Sequence, residues 1–457
     1  MKKALYLIGL SSFVLMLSAA LQSPSAPEAI PGEILIKFDL RARAQTVETA
    51  RMQMRASVLK EISRLNVQVW RLGADVSVDG ALSALRQIPG VLYTEPNYRV
   101  HLHIRPNDTD FSQLWALENT GQSGGQAGAD IRAIEAWDVT TGSEAVVIGI
   151  VDTGIDFNNQ DLDANIYRNP GEDAWSDTGN PATGNGLDDD NNGRIDDWIG
   201  WNFIDNNNNA LDVNNHGTHC AGTIGAIGNN SRGVAGVNWR IKMIPLKFLD
   251  INGNGSTADA CDAIVYAADM DVRILNNSWG GGAFSEALLD AIQYAYDKGV
   301  LFIAAAGNDG VNTDVYPDYP ASFDLPNVIS VAASDHNDQR ALWGSGGGGG
   351  DDCGLICNNV LAVTPGSNYG PKTVDLAAPG VEIYSTIPAN RYLRLSGTSM
   401  ASPHVAGAAG LLLAMHPDLT HLQIKERLLT TVTILPAFEG ITVSGGRLNA
   451  AAALKDF

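Results

Sequence analysis

Apolar and polar positions follow one period near the start of this chain and another over the rest. From "GEILIKF" to "VLYTEPNYRV" short apolar runs alternate with charged, helix-periodic stretches. They predict a strand, a helix over Val47 to Leu65, a second strand, a helix over Val78 to Gln87 and a closing strand. That βαββαβ-like order, with some strands weakly marked, predicts a small α+β sandwich of roughly eighty residues. It runs out in "HIRPND", which reads as a linker. From about Gln113 the strands become apolar throughout: "AVVIGIVD", "KMIPLKFLD", "VRILNNSWG", "VLFIAAAGN", "NVISVAAS" and "VDLAAPG", alternating with helical patterns. Strands without a polar face predict a parallel sheet covered on both sides, and ligands of such sheets gather at the carboxyl ends of the strands.

The last apolar helix opens unusually. "GTSMASPHVAG" crowds hydroxyls and small residues around Pro403 and then runs into the apolar stretch Ala408 to Met415. Proline is tolerated near a helix start and poorly inside one, so the helix is expected to begin between Thr398 and Ser402. Ser399 then lies beside unpaired amides and the positive end of the dipole, where a nucleophilic oxygen or an oxyanion is well placed. Taken alone the stretch reads equally well as a capping Ser with small residues for close packing.

Composition sets the frame for these elements. With 457 residues, 45% hydrophobic and 18% charged, the chain can bury a large core and is neither disordered nor fibrous. "MKKALYLIGLSSFVLMLSAALQ" reads as a secretory signal cut near Ala20, the run being short for a membrane span, and no other segment could cross a bilayer. A retained anchor is the alternative. The net charge of −21 is uneven: residues 1–105 carry 13 basic against 8 acidic side chains, residues 106–457 carry 17 against 43. Such a surface disfavours nucleic acid, and its acidic loops suggest bound cations. Four cysteines are too few for a scaffold. Cys353 and Cys357 share a Gly-rich loop and could pair; Cys220 and Cys261 are buried thiols or a second pair.

Candidate chemistry sits where the sheet argument places it. Asp152 closes one strand, Asn308 another, and His216 opens the helix-like "HGTHCAGTIGAIG". With Ser399 they supply a nucleophile, a base, a carboxylate to orient the base and an amide to receive an oxyanion. Asp156 is a weaker choice than Asp152, which ends its strand directly, and His219 and His404 read as packing histidines. H-G-T-H is not the H-E-x-x-H of zinc proteases, and "GTSMA" is not the G-x-S-x-G elbow of α/β-hydrolases.

"VDTGID", "HGTHCAG", "AAGN" and "GTSMASPHVAG", in this order, resemble the four signature blocks of the subtilisin-like serine proteases, and the likeness runs from about Trp115 to Leu454. It implies Asp152 as orienting acid, His216 as general base, Ser399 as nucleophile and Asn308 as side-chain oxyanion donor. It implies an α/β fold, mostly parallel sheet with helices on both faces, over 106–457, with an acidic insertion at about 158–215. The segment from Ile30 to about Arg105 resembles, more weakly, the family's inhibitory α+β propeptide, which would then occupy residues 21–105, a separate binding domain being the alternative. "NNSWGGG" and "DINGNGS" resemble the family's substrate-flanking segments, which implicates Ser278, Trp279, Gly280, Gly253 and Gly255; two ordinary turns are the alternative.

The insertion contains "GLDDDNNGRIDDWIGWNF", in which Asp188, Asp190 and Asn192 alternate before Gly193 like the first half of an EF-hand loop. Its twelfth position is Ile199, so Asp196 or Asp197 would have to close a Ca²⁺ site; a solvated acidic turn is the alternative. "GNNSRGVAGV" resembles a second family calcium loop, with Asn230 as ligand and Asp161 a distant partner. The expectation is an exported, monomeric serine endopeptidase. It is made as a self-processing precursor and acts on polypeptides and its own propeptide, without nucleic acid or membrane partners. The competing functions are a catalytically inactive relative and a non-peptide acyl hydrolase.

Overall fold

The structure, a computed structural model, describes residues 29–39, 41, 44–98, 104–343 and 365–455. The predicted signal and the Cys353 and Cys357 loop lie outside the described residues. The chain divides into two units, residues 1–102 and 103–457.

The first unit runs β1 (Ala29–Phe38), α1 (Ala44–Gln53), β2 (Ser57–Ile62), β3 (Val67–Arg71), α2 (Val78–Leu85) and β4 (Val91–Tyr98). Its antiparallel sheet has the order β2-β3-β1-β4. The helix expected over Val47 to Leu65 is half as long, since Arg55 takes φ +46° and the Ala56 amide closes back on the Arg51 carbonyl. "SVLKEI" then extends as β2 because its partner β3 supplies a register that local helix propensity cannot outweigh. Ile34, Ile36, Trp70, Ala81 and Leu85 form the core between sheet and helices.

The second unit opens with α3 (Ala133–Trp137) and β5 (Gly142–Asp152), then β6 (Trp201–Asn202), α4 (His216–Gly225), β7 (Arg240–Lys247), α5 (Thr257–Asp269) and β8 (Ile274–Asn277). It continues with α6 (Glu286–Asp297), β9 (Leu301–Ala305), β10 (Val328–Ser334), β11 (Leu376–Pro379) and the hairpin β12 (Ile383–Ile387) and β13 (Arg391–Leu395). It closes with α7 (Thr398–Met415), α8 (His421–Thr430), β14 (Thr433–Ile434), β15 (Gly446–Arg447) and α9 (Ala450–Leu454). Nine strands form one sheet in the order β14-β15-β11-β10-β9-β8-β5-β7-β6, parallel except for the β14–β15 pair. All six apolar runs in the sequence are strands of this sheet.

Alternate residues of those strands enter two cores, which explains why the runs carry no polar face. Ile148, Ile150, Ile274 and Ile303 pack with α4, α7 and α8, while Val151, Leu246, Leu275 and Phe302 pack with α5 and α6. Each such large side chain removed from water contributes about 1.5–3 kcal/mol. Helix α7 is buried almost throughout, and its small residues permit close approach: a Cβ on Gly407 would lie 2.6 Å from Val237 Cβ. Among the described residues no helix is long and apolar enough to cross a membrane.

Candidate active site

Asp152 ends β5, at the carboxyl edge of the sheet, with no solvent exposure. Its Oδ1 accepts the Thr153 amide at 2.7 Å and lies 2.8 Å from His216 Nδ1, with Oδ2 3.0 Å from the same nitrogen. A buried carboxylate facing Nδ1 favours the tautomer with the proton on that nitrogen. The start of α4 is fixed from two sides. Asp212 accepts both the amide and the hydroxyl of Thr218, and Thr153 Oγ1 donates to Asp212 while accepting the Gly217 amide. Residue 217 must be glycine, since a Cβ there would lie 2.1 Å from the Gly154 carbonyl. Asp212, Thr153 and the buried Lys247, whose Nζ donates to the Thr153 carbonyl at 2.6 Å, escaped the sequence analysis. They come together only through β5–β7 pairing and a long loop.

Ser399 is the second residue of α7, within the expected window. Asn308 follows β9, and its Oδ1 accepts the Thr398 amide at 2.9 Å and the Thr398 hydroxyl at 3.1 Å. With Oδ1 committed, Nδ2 is the free donor. A Cβ built on Gly397 would lie 3.7 Å from both Asn308 Nδ2 and the Ser399 amide, so these two donors flank one small space beside Ser399. Cys220 Sγ lies within 4.8 Å of the ligand atoms of Asp152 and His216 and 3.5 Å from the Ser399 carbonyl, which places the first turn of α7 against the Asp152–His216 pair. Cys220 and Cys261 are both free thiols, which decides between the two readings in favour of unpaired cysteines. Burial pushes the Cys220 thiol well above its usual range.

His219 is fully buried with Nε2 2.9 Å from the Ile383 carbonyl, and burial pushes it down to about 3. His404 Nδ1 faces the Met400 carbonyl at 2.9 Å and is pushed down to about 4 by the same cause. Both are neutral packing groups. Asp156 Oδ2 accepts the Ala389 amide at 2.8 Å, and the carboxylate that meets His216 Nδ1 at 2.8 Å is that of Asp152.

The segments expected to flank substrate both leave carboxyl ends of strands. Ser278 follows β8 and is buried, whereas Trp279 packs its ring on Phe248 at 4.8 Å, within the α5–α6 core. Gly280 approaches Asp318, whose Oδ1 would be 2.9 Å from a Cβ there. Gly253 and Gly255 lie in the exposed turn after β7, where Gly253 takes φ +79° and a Cβ on Gly255 would collide with the Phe248 carbonyl at 2.3 Å.

In the acidic insertion, Asp188, Asp190 and Glu172 place carboxylate oxygens within 4.8 Å of one another. Asn169 Nδ2 bridges Asp190 and Asp197, and Asn192 Nδ2 donates to both, so Asn192 and Asp197 border the same cluster. Asp196, with φ +55°, turns its carboxylate to the Gly186 amide at 2.9 Å. Glu172, absent from the sequence reading because it precedes the D-x-D-x-N run by sixteen residues, is buried, and its Oε2 has no hydrogen-bond partner among the described residues. Burial first, then Asp197 and Asp190, push its carboxyl up to about 7. Asp161 and Asn230, far apart in sequence, meet at 2.7 Å, and the buried Asp108 joins them by accepting the Asn229 amide at 2.7 Å.

A doubly covered parallel sheet with Asp, His and Ser converging at its carboxyl edge defines a serine hydrolase of the Asp-His-Ser chain order. The subtilase family model matches residues 143–449, and the chain belongs to that family; a model of the fervidolysin N-terminal prodomain matches residues 18–97. The chain is similar to a thermophilic serine proteinase of Bacillus sp. (strain AK1), 32% identical over 92% of this chain and 86% of that protein. It is also similar to thermitase of Thermoactinomyces vulgaris, 36% identical over 67% of this chain and 85% of that protein. An extracellular protease of Xanthomonas campestris is 33% identical over 96% of this chain and 70% of that protein. Among solved structures a protease from Pseudoalteromonas arctica matches with TM-score 0.56 and 30% identity, over 76% of this chain and 98% of that one. The chain is a subtilisin-like serine endopeptidase with a propeptide-like N-terminal region.

Proposed function

We propose that Ser399 attacks the scissile carbonyl while His216 takes its proton and returns it to the leaving amine. Asp152 holds the imidazole in the required tautomer and stabilises its charged form. The Ser399 amide and Asn308 Nδ2 receive the oxyanion. The observation that carries this reading is the two-oxygen approach of Asp152 to His216 Nδ1, at 2.8 and 3.0 Å. The substrate lies extended along the segments of Ser278, Trp279 and Gly280 and of Gly253 and Gly255, held by backbone bonds. Residues 21–105 act as an inhibitory propeptide removed by the enzyme itself after export, and residues 106–457 act as a monomer. In the insertion, Asp188, Asp190, Asn192, Asp197 and Glu172 fit a hard divalent cation: they are oxygen donors, and among the described residues none donates a hydrogen bond to the buried Glu172 Oε2. Asp161, Asn230 and Asp108 form a second candidate Ca²⁺ site.

The test is Ser399→Ala, which should fold, accumulate as unprocessed precursor, lose casein hydrolysis and resist a phosphonylating serine reagent. Normal processing and hydrolysis by the purified variant would exclude Ser399 as nucleophile.

A further inference from the structure

One carboxylate near the site has no part in the chemistry above. Asp318 belongs to the loop between β9 and β10, yet its side chain reaches between the two strand ends that carry Ser278 and Asn308. Its Oδ1 accepts the Gly281 amide at 2.7 Å, and its Oδ2 lies 3.4 Å from Asn368 Nδ2. Glycine backbone surrounds it on two sides: a Cβ on Gly280 would lie 2.9 Å from Oδ1, and a Cβ on Gly307 would lie 2.1 Å from Oδ2. Any side chain at Gly307, which takes φ +99°, would therefore displace the carboxylate. Asp309, next to the oxyanion donor Asn308, adds a second negative charge close enough to perturb Asp318. Among the described residues no Lys, Arg or His pairs with either carboxylate.

We propose that Asp318, assisted by Asp309, forms an anionic specificity pocket that selects substrates with Lys or Arg immediately before the scissile bond. Gly280 and Gly281 are within three residues of Ser278, whose carbonyl receives the Ser399 hydroxyl at 3.0 Å, and Gly307 directly precedes Asn308. The carboxylate thus stands behind both walls that flank the reacting carbonyl, within reach of a long cationic side chain rather than of the backbone. Two partly buried carboxylates without a cation are costly, and a substrate ammonium or guanidinium supplies the missing charge. Burial pushes Asp318 up to about 6, with Asp309 adding to the rise. A cation entering the pocket opposes both effects. Trp279 does not fill the space with apolar surface, since its ring is engaged with Phe248. The net charge of −21 also favours approach of basic polypeptides.

The proposal rests on Ser399 as the nucleophile, and the experiment separates the two. The mature enzyme is titrated with a phosphonylating reagent to count active sites, then given peptides that differ only in Lys, Arg, Leu, Phe or Glu before the cleaved bond. kcat/KM for Lys and Arg should exceed that for Leu by about tenfold or more, and Asp318→Asn should lower the Lys to Leu ratio by at least about tenfold. Asn keeps the acceptor for the Gly281 amide, so a purely structural role for Asp318 predicts an unchanged ratio. Preference for Leu or Phe in the parent enzyme, or a ratio indifferent to Asp318→Asn, overturns the proposal. Should Asp318→Asn fail to mature, Asp309→Asn takes its place with a smaller loss of the same ratio, and the parent profile still decides. Activity surviving in Ser399→Ala would instead overturn the nucleophile assignment.

Discussion

Ser399 and Ser278 hold each other by reciprocal hydrogen bonds: the Ser399 hydroxyl donates to the Ser278 carbonyl at 3.0 Å, and the Ser278 hydroxyl donates to the Ser399 carbonyl at 2.9 Å. The second bond follows from the sequence. The Ser399 carbonyl would ordinarily accept the amide four residues on, but that residue is Pro403, inside α7 and without a proton to give. Ser278 and, more weakly, Cys220 take its place from neighbouring elements. The helix interruption thereby ties Ser399, the proposed nucleophile, to the strand end proposed to border the substrate.

Ser278→Ala should destabilise the mature enzyme by about 1–2 kcal/mol, because it leaves the partly buried Ser399 carbonyl short of a donor. In a Pro403→Ala background residue 403 regains its N–H, and the cost of Ser278→Ala should fall. A double-mutant cycle on melting temperatures measures that coupling, and strict additivity would show that the two residues act independently.

Asn308→Ala should lower kcat on the order of 10²–10³-fold with little change in KM, because an oxyanion exists only around the transition state; that magnitude comes from subtilisin. Thr398→Val removes the hydroxyl that helps lock the Asn308 amide but spares the backbone bond. It should give a smaller loss, again in kcat. A rise in KM alone would make Asn308 a substrate-binding residue.

Residues 104–108 make their contacts within the second unit. The Ile104 amide donates to Asp138 at 3.0 Å, Arg105 pairs with Glu118 at 2.6 Å, and Asp108 receives the Asn229 amide. The mature N-terminus, read by intact-mass spectrometry, should fall near residue 106 and before Asp108, which keeps the Asn229 contact. A start beyond Asp108 would remove part of the second candidate Ca²⁺ site and contradict this assignment.

What was legible in the sequence, and what was not, divides by interaction range. The six buried strands declared themselves because two-sided burial leaves no polar positions to interrupt them, and Ser399 because Pro403 restricts where α7 can start. Strand β2 was hidden because "SVLKEI" has nearly every residue exposed and continues a helix-compatible pattern; only pairing with β3 makes it a strand. Glu172, Asp108 and Asp318 share another reason. Each lies in a loop, distant in sequence from the groups it meets, and a carboxylate in a loop looks the same whether solvated or buried. Glu172 carries the unpartnered oxygen and Asp318 faces two glycines, facts that exist only once the loops have folded together.

Carboxylates of the two candidate calcium sites should make stability depend on pH with a sign that calcium reverses. Burial and neighbouring carboxylates raise Glu172 to about 7 in the folded state from an ordinary 4.5, and burial raises Asp108 to about 6 from 3.8. A raised carboxyl prefers the protonated form when folded, so the stabilising contribution is present below the unfolded value and is lost as pH climbs through the folded one. In chelator, the melting temperature should therefore fall between about pH 5 and pH 8. A bound divalent cation favours the charged carboxylates instead, so added calcium should raise the melting temperature most at the alkaline end. At a hundredfold excess over Kd the gain is roughly 2.7 kcal/mol. Glu172→Gln should remove much of the pH slope in chelator and weaken calcium binding measured by titration calorimetry. Asp188→Asn combined with Asp190→Asn should weaken binding further, whereas Asp196→Asn should leave ion stoichiometry unchanged because its carboxylate turns toward Gly186. If Glu172→Gln and the Asp188, Asp190 double variant bind as many ions as tightly as the parent, the insertion is a solvated acidic turn.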